Sequence, residues 1–293
     1  GIFPSMAASE LIADVKTEFA TTPLCSTRGR ENLAISFSYV VFAMCACVVA
    51  KEFSDHDFSA VLTFGAGVQC LGFLALLLKT RAQKTVKGVS SKTLEMYVGV
   101  FMFRLSSTMV KNGYLPVDRS GDWAYQLADV VSLLIVFQLL YCCHKTHGST
   151  YQLEHDTLEI NKALIPCFVL ALCTHGDLNS NKFFDVMWTI SMNLDTVALL
   201  PQLWMLTKIG GEVEGMTTHF VVAIFVSRTC AMAFWYYGYG ELAPSDGGPN
   251  IAGWTIMVMH ALQILLSADF IMHYLKSKFF GQKMVLPENS VDV

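Results

Sequence analysis

The sequence predicts an all-α, polytopic membrane protein. Of its 293 residues, 53% are hydrophobic and only 15% are charged, against roughly 25% charged in ordinary soluble domains. The apolar residues gather in eight runs, each near the ~20 residues that span a bilayer. Their approximate limits are 33–50, 58–79, 93–110, 123–143, 158–174, 184–206, 217–237 and 251–274. The positive charge is also lopsided. With eight crossings, the side that holds both termini carries 14 of the 20 Lys and Arg residues. The opposite side carries four, Lys51, Lys111, Arg119 and Lys182, and Arg104 and Arg228 fall inside runs. This asymmetry puts both termini in the cytosol or its organellar equivalent. The opposite side is acidic, with Glu52, Asp55, Asp57, Asp118, Asp122, Asp177, Glu241 and Asp246.

Taken in order, residues 1–32 are a polar N-terminal segment. Within it SELIADVKTEF, from Ser9 to Phe19, has the spacing of a short amphipathic helix. The chain opens on Gly1 rather than Met, which reads as a processed or trimmed end, and the first segment is too polar for an intact signal peptide. Segment 33–50 is the first crossing. A bundle over 58–275 follows, and 276–293 form a tail on the cytosolic side. The fifth crossing is the shortest and contains Pro166. The sixth, FFDVMWTISMNLDTVALLPQLWMLTK, is the organising stretch. It carries Asp185 and Asp195, and its Pro201-Gln202 pair predicts a bend, because proline removes a helical hydrogen bond. The loop GELAPSDGGPN at 240–250 is rich in turn formers.

The residues that stand out are charges in apolar surroundings. Arg104 lies in VGVFMFRLSSTMV and Arg228 in VVAIFVSRTCAMAFW, and Asp129, Asp185, Asp195, His260 and Asp269 are similarly placed. Such charges must find partners or line a cavity. Two readings stay open. In one, internal Arg–Asp pairs only fix helix register. In the other, the arginines bind an anionic group such as a carboxylate from one aqueous face. Trp188 and Trp235 are interface anchors or cavity walls, and His260 reads as a neutral core histidine. The nine cysteines include no CxxC pair. The nearest approach to a metal cluster, Cys142-Cys143-His144 with His147, reads as packing at a helix end. The net charge of −4 brings no basic patch with interleaved aromatics, so nucleic acid is not an expected partner. No metal motif, phosphate loop or nucleophile–base pattern is present, so neither a cofactor nor catalysis is expected.

Several stretches in order resemble the KDEL receptor family, the ER lumen protein-retaining receptors. They are LLLKTRAQKTVKGVSSKT (76–93), HDTLEI (155–160), VMWTISMNLDTVALLPQLWML (186–206), TTHF (217–220), SRT (227–229), LQILLSADF (262–270) and KMVLP (283–287). The resemblance implies a PQ-loop, SWEET-like bundle of seven helices, two three-helix units joined by a linker helix, with 33–50 as an added transmembrane helix. It further implies that Arg104, Arg228, Asp185, Trp188 and Trp235 contact a ligand. By the same resemblance Asp195 belongs to a proton-linked switch and Asp269 to trafficking. Some family positions are changed. A first-helix arginine falls near Leu62 and a pH-sensing histidine near Gln69. A tyrosine and an aspartate become Leu105 and Ser107, a sixth-helix arginine becomes Gly238, and a lysine pair is reduced to Gln282-Lys283.

Three functions share this architecture. The first is a divergent receptor of the ER and Golgi membranes that binds a C-terminal, carboxylate-bearing sorting signal of a soluble cargo. The second is a non-catalytic accessory subunit of a large complex, in a plastid or mitochondrial membrane, with neighbouring subunits as partners. The third is a PQ-loop small-molecule transporter. All three have membrane lipid around them.

Overall fold

The computed structural model describes residues 59–111, 122–176, 181–243, 247–280 and 284–286. The expected helices at Ser9–Phe19 and 33–50 lie outside these residues. Among them the chain is all-α apart from one two-stranded sheet. In order, the elements are α1 (Ser59–Gln83), α2 (Ser91–Thr108), α3 (Asp122–Tyr141), α4 (Ile160–Thr174), α5 (Lys182–Val197), α6 (Leu200–Ile209), β1 (Gly211–Glu212), α7 (Gly215–Tyr237), α8 (Ile251–Phe279) and β2 (Val285–Leu286). Helix α3 runs on into a π turn over Cys142–Thr146, with Cys142 and Cys143 buried. Among the described residues, five rods are long and apolar enough to cross a membrane: α1, α3, α5 with α6, α7 and α8. Helix α2 fits the bundle equally but carries Lys92, Glu95 and Arg104 in its 18 residues. Helix α4 has only 15 residues.

The packing follows two three-helix units. Helix α3 packs on α1 and on α2, while α8 packs on α7 and on α5. Helix α4 lies against α5. The units are joined chiefly by α1 with α7 and α2 with α5, and also by α2 with α6. The first is close because two glycines face α7. A Cβ on Gly72 would meet the Ala223 Cβ at 2.9 Å, and one on Gly65 would meet the Cys230 Cβ at 3.1 Å. An aromatic knot fills the centre. Phe73 meets Tyr97 edge-on at 4.9 Å between ring centres and Phe220 at 5.3 Å, and all three are fully buried. Edge-on ring pairs of this kind add to plain area burial.

The α5–α6 rod breaks at Ala198 and Leu199, and Pro201 opens the new helix in its first turn. Proline is tolerated there because its missing N–H has no helical partner to lose. The break frees the Gln202 amide, which donates instead to Thr93 Oγ1 at 2.8 Å. The Gln202 side chain, fully buried, accepts from the Ser90 amide at 3.0 Å and donates to the Gly88 carbonyl at 2.7 Å. One Pro-Gln pair therefore bends its own rod and holds the start of α2. Ser90 caps α2 through the Thr93 amide at 3.1 Å and is itself gripped by Asp156. Asp156 also accepts from the Tyr151 hydroxyl, and burial together with that carboxylate pushes the Tyr151 phenol well above its usual range.

A second polar cluster lies at the same end of the bundle. Lys79 is buried at the end of α1 and donates to the Lys87 carbonyl at 2.9 Å and to Thr217 Oγ1 at 2.8 Å. It pairs with Glu214 at 3.2 Å. Beside it, β1 and β2 pair antiparallel, Gly211 with Leu286 and Glu212 with Val285. Met284 and Leu286 are buried, so the chain after α8 is pinned next to the start of α7.

Candidate functional site

The polar centre lies in the opposite half of the bundle, near the ends where α1 begins and α2 finishes. It is built on Asp195. In α5, Trp188, Ser191, Met192 and Asp195 recur at i, i+3, i+4 and i+7, which places them on one helix face. That face looks towards Arg104 from α2 and Arg228 from α7. The Asp195 carboxylate receives Arg104 Nη2 at 3.0 Å and Arg228 Nη1 at 2.7 Å on the same oxygen, Oδ2. Arg104 is held further by Ser191 Oγ at 3.3 Å on Nε and by the Tyr125 hydroxyl at 3.0 Å on Nη1. Asp129 stands 3.6 Å from the same Nη1. All four charged groups are buried.

These side chains border a cavity of about 60 Å³. One water needs ~10–15 Å³ on this measure, so there is room for a few waters. Its polar wall includes Arg104, Arg228, Asp195, Gln69 and His260. Its apolar wall includes Leu62, Trp188, Met192 and Trp235. The two indoles meet edge-on at 5.3 Å. His260 Nδ1 lies 2.9 Å from Gln263 Oε1, and His260 Nε2 has no hydrogen-bond partner.

The site residues singled out in the sequence divide as follows. Arg104, Arg228, Trp188, Trp235 and Asp195 come together on the cavity, and Asp129 supports Arg104 from outside its wall. Asp185 is fully buried in the first turn of α5 and is not among the residues that line the cavity. A carboxylate there complements the helix dipole. Asp269 corrects an expectation, because it is not a buried charge. Its side chain is 84% exposed on the outer face of α8, with His273 at 3.9 Å. Gln263, Ser267 and Phe270 are the inward-facing residues of that helix segment, and Asp269 is one residue, about 100°, away from Phe270. Pro201 and Gln202 lie at the opposite end of the bundle from the cavity. Sequence reasoning missed Tyr125, Ser191 and Gln263, which carry no local signal and matter only through the helix packing.

A family profile described as ER lumen protein retaining receptor matches residues 85–238, which include Arg104, Asp129, Asp195 and Arg228. The chain belongs to this family. Among named relatives, the ER lumen protein-retaining receptor B of Arabidopsis thaliana is 32% identical over 219 residues, covering 73% of this chain and 92% of the relative. The ER lumen protein-retaining receptor of Dictyostelium discoideum is 29% identical over 219 residues, 73% of this chain and 93% of the relative. ER lumen protein-retaining receptor 3 of Xenopus tropicalis is 27% identical over 218 residues, 74% and 92%. The chain is thus a KDEL-receptor-like integral membrane protein. The span matched by the family profile runs from just after α1 to the end of α7.

Proposed function

We propose that this protein binds the free C-terminal carboxylate of a soluble cargo protein within the cavity between α1, α5, α7 and α8, as a receptor of the ER and Golgi membranes. One observation carries this reading. Two buried arginines from different three-helix units converge on a single carboxylate at the wall of a cavity. An arginine fork is the side chain best matched to a carboxylate. The edge-on pair Trp188 and Trp235, with Leu62 and Met192, supplies an apolar wall for the side chain next to that carboxylate.

The charge count sets the pH dependence. With both aspartates ionised, Arg104 and Arg228 are balanced by Asp129 and Asp195. A ligand carboxylate adds one uncompensated negative charge to a buried site, which is costly unless a proton enters with it. Binding therefore takes up a proton and tightens as pH falls, by up to about tenfold per pH unit.

The test is binding of a fluorescent hexapeptide ending in a free leucine carboxylate, measured on the purified full chain in nanodiscs between about pH 5.5 and 7.5. The expected result is binding of the acid that strengthens towards the lower pH, with at least about tenfold weaker binding of the C-terminal amide. Equal binding of acid and amide, or no binding across that range, would overturn the reading. Absence of binding together with co-purification in a stoichiometric complex would point instead to an accessory subunit, whose arginines stay closed on Asp195.

A further inference from the structure

A second hollow opens between α6 and α8, at the end of the bundle where β1 pairs with β2. It holds about 360 Å³, against about 60 Å³ for the cavity at Asp195. Leu203 and Trp204 of α6, Leu266, Asp269 and Phe270 of α8, and Leu286 of β2 line it. The Trp204 indole is fixed by donating from Nε1 to Thr157 Oγ1 at 3.1 Å. One turn further along α6, the Lys208 ammonium stands 5.3 Å from the centre of the same indole, within reach of a cation–π attraction. The wall is therefore apolar, with one cation beside it and one carboxylate in it.

That carboxylate is the anomaly. Leu262, Leu265, Leu266 and Met272 are all exposed, at i−7, i−4, i−3 and i+3 from Asp269, so Asp269 stands in an apolar stripe of α8. Helix α8 is one of the rods of membrane-spanning length, and such a stripe meets lipid. A carboxylate in that setting is costly unless it meets a cation. Among the described residues its ion-pair partner is His273 at 3.9 Å, too long for a hydrogen bond. His273, Lys276 and Lys278 follow in the next turns of the helix. Asp269 thus stands near the boundary between acyl chains and headgroups rather than at the bilayer centre.

We infer that the hollow between α6 and α8 is a lipid site, and that its occupant is a phospholipid with a zwitterionic, primary-ammonium headgroup of the phosphatidylethanolamine type. An acyl chain lies against Leu203, Leu266 and Phe270. The headgroup ammonium donates to Asp269, and its phosphate faces Lys208. The two charges select this class. An anionic headgroup without an amine is repelled by Asp269, a choline headgroup has no N–H to donate, and a sterol leaves Lys208 unmatched. The volume lies within the range of roughly 300–1,000 Å³ found for small-molecule sites. It does not admit a partner helix, which is about 10 Å across. The inference is independent of the carboxylate-binding reading, because it concerns a different hollow on a different face.

The test uses the full chain in nanodiscs made of equal parts phosphatidylethanolamine, phosphatidylcholine and phosphatidylglycerol with matched acyl chains. Native mass spectrometry after gentle release counts and identifies the retained lipid. The wild type should retain one lipid, with phosphatidylethanolamine favoured over phosphatidylcholine by about fivefold or more. Asp269→Asn, a change to an exposed side chain, should erase that preference while a phospholipid is still retained. Lys208→Gln should lower retention of all three phospholipids. Leu203→Trp fills the hollow and should remove the retained lipid. If Leu203→Trp does not fold, Leu266→Trp makes the same test from the more exposed wall. Retention of the three lipids in the proportions of the nanodisc would overturn the inference, as would an unchanged preference in Asp269→Asn or unchanged retention with the hollow filled. Displacement of phosphatidylethanolamine by added sterol would also overturn it and assign the hollow to a sterol.

Discussion

Replacing Asp195 with asparagine removes the one charge on which both buried arginines close. At separations of 3.0 and 2.7 Å the two pairs are each worth about 5–6 kcal/mol of Coulomb attraction at an effective dielectric constant near 20. Most of that offsets the cost of taking the ions out of water, so the observable quantity is the loss on removing one partner, about 3–5 kcal/mol. Asparagine retains a carbonyl acceptor for one of the two guanidinium groups, which puts Asp195→Asn at the lower end, near ~3 kcal/mol. For a chain of this size that lowers the melting temperature by about 6–12 °C. The assay is thermal unfolding in nanodiscs, followed by fluorescence-detected size exclusion. The variant also leaves the cavity with one net positive charge, so a peptide carboxylate should stabilise it more than it stabilises the wild type, with little dependence on pH. A variant that melts within about 1 °C of the wild type would refute the reasoning, because the two arginines would then not depend on that carboxylate.

Two further outcomes are expected. Gln202→Leu removes the acceptor for the Ser90 amide and the donor to the Gly88 carbonyl. At ~1–3 kcal/mol for each of the two groups left without a partner, it should destabilise the protein by about 2–6 kcal/mol in chemical denaturation, without altering the acid-over-amide preference of the distant cavity. Burial raises the Glu214 carboxyl, but the Lys79 ammonium and the Thr217 donors more than offset this and hold it below its ordinary value of 4.5. A depressed carboxylate stabilises the folded state above that ordinary value, and the contribution is lost as pH falls below it through the folded-state pKa. The melting temperature should therefore decline below about pH 4.5, and less steeply in Glu214→Gln, as thermal scans across a pH series would show.

Much of the architecture is written in local sequence. Hydropathy locates five of the described rods outright, because each must hide its backbone within the membrane on its own. Pro201 announces the break in the sixth crossing for an equally local reason. The charged residues were visible as candidates but not as partners. Asp129 and Asp269 look alike in the sequence, each an aspartate in an apolar helix. One supports Arg104 and the other faces outward, and the difference lies in the rotation of α3 and α8 within the bundle. The same holds for Tyr125 and Gln263, whose roles depend on what lies across a helix interface. Lys79, a helix-end lysine in the sequence, is buried because α7 brings Glu214 and Thr217 to it.

The glycine-lined contact between α1 and α7 has a mechanical consequence. With backbones this close at Gly65 and Gly72, neither helix can slide or rotate without driving a Cα into its neighbour. The pair therefore works as a fixed pillar shared by the two halves, and it carries Gln69 and Arg228. A space of about 60 Å³ does not hold a peptide terminus, so admitting one requires the walls to part. The pillar cannot supply that movement. Any widening of the cavity falls instead to α2, α3, α5 and α8, which reach it through side chains rather than glycines.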